Sequence, residues 1–137
     1  MSSVSTIAAL REELIGRLDD ALAHDVIPAR MAQEKDDLDP RVSVGAQTVG
    51  GDRVNSHYAP QVQGRVIIDH SPAWQRENGL KAADELLEQV EYELTRHESP
   101  WGYVDGSISV EEYQFNDNLS RYVAVAEATF RRIDARN

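Results

Sequence analysis

The chain has 137 residues, 41% of them hydrophobic, which is the size of one ordinary domain and enough to bury a core. It contains no cysteine, which excludes a disulfide framework, a thiolate zinc site and a cysteine nucleophile. No apolar run approaches the ~20 residues that span a bilayer, and the N-terminus lacks the features of a signal peptide. The composition therefore predicts a single soluble domain, residues 1–137, that folds inside a cell.

Acidic residues dominate the charge, with 24 Asp and Glu against 14 Lys and Arg and a net charge of −10. Lysine occurs only at Lys35 and Lys81. An acidic, lysine-poor surface is typical of proteins in molar salt, where a screening length of about 3 Å hides the repulsion between carboxylates. A GC-rich genome also replaces lysine by arginine, but it does not explain the excess of acids. We therefore expect a halophilic host and no wrapping of a DNA backbone.

The first predicted element is an N-terminal helix. Apolar residues recur at three- and four-residue spacing, the period of one helix face. They are Ile7, Leu10, Leu14, Leu18 and Leu22. Ser3 or Ser5 can cap this helix, which must end before Pro28. The charged segment 29–40 lacks the ligand order and central glycine of a calcium loop, so it is interpreted as a solvated connector.

Alternating residues predict the first two strands. Val42 and Val44 indicate a short, half-buried strand, and residues 61–70 form the clearest strand of the sequence. Between them, residues 45–60 are polar and glycine-rich, without the Gly-Lys-Ser/Thr of a phosphate-binding loop. We interpret residues 45–60 as a flexible loop or a hairpin arm, because connections of this length are usually functional or mobile.

A long amphipathic helix follows, with Ser71 at its N-cap and Pro72 at its first position. Its predicted apolar stripe is Leu80, Ala83, Leu87, Val90 and Leu94, and its acidic face is Glu77, Asp84, Glu85, Glu88 and Glu91. Arg96 and His97 suit the negative end of the helix dipole, and Pro100 stops the helix.

A pair of strands is predicted to close the chain. In the first, the alternation slips by one residue between Val110 and Tyr113, as it does at a β-bulge. Residues 116–118 form a turn sequence, and residues 122–133 alternate as a strand, although their alanines also permit a helix. The predicted fold is α+β: one mostly antiparallel sheet of about four strands, with the N-terminal helix and the long amphipathic helix packed on it.

No catalytic, cofactor-binding or metal-binding motif is recognisable. The histidines lack the four-residue spacing of a zinc-binding helix; they are His24, His57, His70 and His97. Asp69-His70 ends a strand, a common place for catalytic groups, but without a nucleophile motif a structural or surface role for His70 is favoured. Glu111 and Glu112 are neighbours on a strand and point to opposite faces. We expect no enzyme, no cofactor and no metal site.

The order of segments from Val62 to Ile133 is distinctive. The strand Gln63-Gly64-Arg65-Val66-Ile67-Ile68-Asp69 leads into the amphipathic helix, which ends in Glu91-Tyr92-Glu93-Leu94. Two strand segments follow, Ile108-Ser109-Val110-Glu111-Glu112-Tyr113-Gln114-Phe115 and Arg121-Tyr122-Val123-Ala124-Val125. This layout resembles the tail terminator (tail completion) proteins of long-tailed viruses, which are similarly short, begin with a helix and close with a strand, helix, strand, strand unit. The acidic, lysine-poor composition departs from ordinary members and fits a virus of a halophilic archaeon.

The resemblance implies a structural virion protein of the tail or neck, assembled in the host cytoplasm. Members form a hexameric ring that stops growth of the tail tube and offers its upper face to the head-side connector (stopper) protein. The expected partners are further copies of the chain, the tail tube protein and that connector, with genomic DNA passing through the channel without specific binding and no membrane contact. The alternatives are a head-closure or adaptor protein and, from a different class, a small hydrolase or nuclease.

In such a ring, the loop arm, the two aromatic residues predicted to be exposed after the long helix and the polar turn supply the subunit or tube interface. The expected interface residues are Arg53, Asn55, His57, Tyr58, Trp101, Tyr103, Asn116, Asp117 and Asn118.

Overall fold

The structure, a computed structural model, describes residues 3–35, 37–54, 57–96 and 101–132, with side chains outside 3–5 and 49–60. The elements in chain order are α1 (Ser3–Ala21), β1 (Val26–Pro28), a 3-10 helix (Ala29–Lys35), β2 (Arg41–Val54), β3 (His57–His70), α2 (Pro72–Asn78), α3 (Leu80–Leu94), β4 (Trp101–Tyr103), β5 (Ser109–Asn116) and β6 (Arg121–Arg132).

The strands form one six-stranded sheet in the order β1-β2-β3-β6-β4, with β5 also paired to β6. Only the β1–β2 pair is parallel among the described strands. The α+β class and the mostly antiparallel sheet are confirmed. The strand count exceeds the predicted four because β1 and β4 have three residues each, too few for alternation to show in the sequence.

Helix α1 covers one face of the sheet, as its apolar period predicted. Leu10, Leu14 and Leu18 are fully buried. The helix lies so close to β3 that a Cβ atom added to Gly64 would overlap the Leu14 side chain. Glycine at position 64 therefore sets the distance between the helix and the sheet.

The second face of the sheet is covered near β1 and the 3-10 helix. Arg41 and Ser43 on β2 are buried, and the Arg41 Nη1 donates to the Ala32 carbonyl of the 3-10 helix at 2.6 Å. The prediction of a half-buried strand at this position is wrong, because the segment predicted to be a solvated connector folds back over it. Asp36 of that segment lies outside the described residues.

The amphipathic helix is divided in two. Ser71 caps α2 by accepting from the Trp74 amide at 3.0 Å, as predicted, but the helix ends at Gly79, whose φ is +92°. Leu80 is consequently 66% exposed and does not belong to the buried stripe, which includes Leu86 instead. His97 and Pro100 lie outside the described residues.

The C-terminal strands follow the sequence pattern closely. The β5–β6 register shifts between Glu111 and Gln114, where the alternation predicted a bulge. Residues 117–120 form the predicted turn. Strand β6 directs Ala124, Ala126 and Phe130 into the core, which decides between strand and helix in this segment.

Candidate functional site

Of the two alternatives for residues 45–60, the structure has the hairpin. Residues 45–54 continue β2, and residues 57–60 begin β3. The extra residue of a β-bulge separates the pairs Thr48–Val62 and Gly51–Pro60. Beyond it, residues 51–54 and 57–60 pair with each other, whereas β6 pairs with β3 only from Gln61 onward. We call these paired residues the ribbon; its four pairs extend about 13 Å past the bulge.

Three of the predicted interface residues lie in this ribbon. Arg53 pairs with Tyr58, and His57 pairs with Val54 at the last described pair of the hairpin. Asn55 lies outside the described residues. The backbone therefore brings Arg53, His57 and Tyr58 together at one end of the sheet.

Trp101 and Tyr103 lie near the same end, but they are not exposed. Trp101 is 1% exposed on β4, and the Arg132 guanidinium carbon lies 5.5 Å from the centre of its ring. Tyr103 is partly buried, and its hydroxyl accepts from the Ile108 amide at 3.3 Å. The prediction that these rings are exposed is wrong, because β4 pairs with β6 and draws both toward the core.

Asn116, Asp117 and Asn118 lie at the opposite end of the sheet and are exposed. Asn116 pairs with Arg121, whereas Arg131, ten residues further along β6, pairs with Gln61 beside the ribbon. Ten residues of a β-strand span about 33 Å, so these two ends of the sheet are about that far apart. The predicted interface residues thus form two separate surfaces.

A buried ion cluster at the end of β3 was not predicted from the sequence. Asp69 is 3% exposed and lies between two arginines, with the Arg41 Nε at 3.1 Å from one oxygen and the Arg121 Nε bonded to the other. Arg121 also donates to the Leu38 carbonyl at 3.1 Å and to the Asp39 carboxylate at 3.3 Å. Because both Asp69 oxygens bond to arginines and Arg121 also bonds to residues 38 and 39, the cluster ties the strands and the connector together.

His70 is buried beside this cluster in an aromatic cage. The ring centres of Trp74, Tyr113 and Tyr122 lie 4.8, 5.0 and 5.5 Å from that of His70. Its Nδ1 is 3.1 Å from the Ser71 carbonyl, which fixes the proton on that nitrogen, and Nε2 has no hydrogen-bond partner among the described residues. No described hydroxyl or carboxylate bonds to the ring, so His70 is held in the cage mainly by ring packing.

Within the described ranges, no group of three or more His, Cys, Asp or Glu side chains is arranged to hold a metal ion. In the same part of the chain, no helix is long and apolar enough to cross a membrane.

Comparison with known proteins does not assign the chain to a family. No protein-family model matches the chain, and no curated protein matches its sequence.

Proposed function

We propose that the chain is a ring-forming tail terminator, a structural virion protein that caps the tail tube and joins it to the head-side connector. The ribbon is the observation that carries this proposal. Among the described residues, its two strands pair only with each other. Their outer backbone groups can therefore bond to a strand of a neighbouring subunit or of the tube.

The other free edges of the sheet oppose such pairing. Strand β4 has only three residues, and β5 carries Glu111 and Glu112, features that protect an edge from another strand. On β2, by contrast, residues 45–51 contain no charged side chain. Pairing with another chain is least opposed along residues 45–51, which lead into the ribbon, whereas the ribbon itself carries Asp52 and Arg53.

The arrangement of the whole chain supports the same function. The order α1, β3, α2–α3, β5, β6 agrees with the layout on which the resemblance rests. A ring between tube and connector needs two contact faces, and the ribbon and the turn at residues 116–118 supply them at opposite ends of the sheet. A net charge of −10 suits a channel that passes DNA without binding it.

The ribbon can be removed without disturbing the sheet. Replacing residues 50–60 by Asn-Gly leaves Val49 and Gln61 joined by a two-residue turn of the type that hairpins favour, and keeps the Thr48–Val62 pair. We expect this trimmed variant to keep its circular dichroism spectrum. Expressed with the tail-tube protein of the same genome, it should fail to cap tubes, and electron microscopy should show overlong tubes without an end ring.

Glu88→Gln is the control, because Glu88 lies on the exposed face of α3, away from both surfaces. It should cap tubes as the unchanged chain does. Normal capping by the folded, trimmed variant would contradict the proposal, and so would its unfolding, because the ribbon would then be part of the core.

A further inference from the structure

A small open pocket lies where α2, α3, β5 and β6 meet, at the opposite end of the sheet from the ribbon. Its volume is about 260 Å³, and its lining residues are Gln75, Leu80, Asp84, Glu112, Tyr113 and Tyr122. Two carboxylates and two phenol rings thus face one cavity, and no lining residue carries a positive charge. We call it the tyrosine pocket.

The two tyrosine rings are held in place from behind. Tyr113 donates from its hydroxyl to the Ala83 carbonyl at 3.0 Å, and both rings pack against the buried His70. Burial, reinforced by the negative charge of Asp84, raises the pKa of the Tyr113 hydroxyl, so this ring stays neutral. A preformed, neutral aromatic wall beside carboxylates is an arrangement that attracts a cation.

The surroundings of the tyrosine pocket are apolar and exposed. Leu80 lines the pocket and is 66% exposed. Phe115 is 47% exposed, and its ring packs edge-on against Tyr122 with the ring centres 5.2 Å apart. Leu119, in the turn after Phe115, is 50% exposed. These apolar side chains are suited to contact a protein segment rather than a free ion.

We propose that the tyrosine pocket binds an arginine or lysine side chain from a basic, apolar segment of a partner protein other than a second copy of this chain. The pocket supplies two negative charges and aromatic rings for the cation, and the exposed apolar side chains around it contact the rest of the segment. A partner of opposite charge is favoured because this chain has a net charge of −10, and a second copy would bring more acid to an acidic pocket. The proposal does not depend on the ring, whose ribbon lies at the other end.

The probe is the peptide Leu-Ala-Arg-Ala-Leu with both termini blocked. It is compared with the same peptide carrying neutral citrulline in place of arginine. Binding is followed by ¹H–¹⁵N NMR at a salt concentration that keeps the protein folded. We expect the arginine peptide to shift the amide signals of Asp84, Glu112, Tyr113 and Tyr122, and to bind about tenfold more tightly than the citrulline peptide.

Two variants and a control locate the effect. Asp84→Asn and Glu112→Gln should each weaken binding of the arginine peptide about threefold, whereas Glu88→Gln, outside the pocket, should leave it unchanged. Equal affinity for both peptides, shifts confined to other residues, or no shift at about 10 mM peptide would overturn the proposal. Shifts of the same signals on raising the protein concentration alone would also overturn it, because the occupant would then be a second copy.

Discussion

Asp69 shows how one buried charge can hold distant parts of the chain together. Its carboxylate bonds to Arg41 on β2 and to Arg121 on β6, and Arg121 reaches on to the connector at Leu38 and Asp39. Removing one member of such a cluster leaves the others buried without their counter-charge, which costs more than the pair itself contributes.

We therefore expect Asp69→Asn to lower the free energy of unfolding by about 3–5 kcal/mol. Glu127→Gln is the matched control, because its partner Arg65 lies 3.4 Å away and is 54% exposed. That change should cost less than about 1 kcal/mol. Denaturant unfolding at constant salt measures both variants. Equal costs would show that the Asp69 cluster contributes no more than a surface pair.

The contacts of single residues were the least predictable feature of the sequence. Arg41 and Asp69 are 28 positions apart, and Asp69 and Arg121 are 52 apart, so no local pattern links them. The exposure of Trp101 was mispredicted for a related reason. Its burial depends on pairing with β6, a contact between segments that are separate in the sequence.

Among the elements, the approach of α1 to the sheet depends on Gly64. A side chain there would meet the fully buried Leu14 and, at 3.4 Å, the Phe130 ring, whereas a Cβ at Gly16 within α1 meets nothing within 4 Å. A side chain therefore has no room at Gly64 but has room at Gly16.

Gly64→Ala should destabilise the protein by about 1–3 kcal/mol, because a close-packed interface must move apart. Gly16→Ala should stabilise it by about 0.5–1 kcal/mol, since alanine is the better helix former and no contact is disturbed. Thermal or urea unfolding compares the two variants. A Gly64→Ala protein as stable as Gly16→Ala would show that α1 does not pack as closely as described.

Elements with long, regular patterns were predictable, and short or interrupted ones were not. The leucine period identified α1, and the alternation in β6 identified a strand despite its alanines. Strands β1 and β4 are too short to show a period. The break at Gly79 escaped prediction because Leu80 continues the helical spacing, although the positive φ of Gly79 ends α2.

Of the candidate sites, the sequence indicated the ribbon and the polar turn but not the tyrosine pocket, which four separate elements form.

For the whole molecule, we expect the acidic surface to make stability depend on salt. Asp84, Glu85 and Glu88 are all exposed on α3, and Glu88 lies three residues after Glu85 and four after Asp84, spacings at which like charges destabilise a helix. Lowering the salt from molar to about 10 mM lengthens the screening distance from about 3 to about 30 Å and exposes this repulsion.

Circular dichroism should therefore show a lower melting temperature and lost helix at low salt. A variant with Glu85→Gln and Glu88→Gln should depend less on salt, because part of the repulsion is gone. An unchanged melting temperature across the range would instead favour genome composition as the origin of the missing lysines.

The central claim is that the chain acts as a subunit of a ring at the end of a tail tube. Cryo-electron microscopy of the virion, or of tubes assembled with this chain, tests it most directly. We predict one hexameric ring at the head-proximal end, with a central channel and with the ribbon of each subunit in contact with a neighbouring subunit or the tube. A monomer or dimer of this chain in the particle, or copies distributed along the tube, would contradict the account.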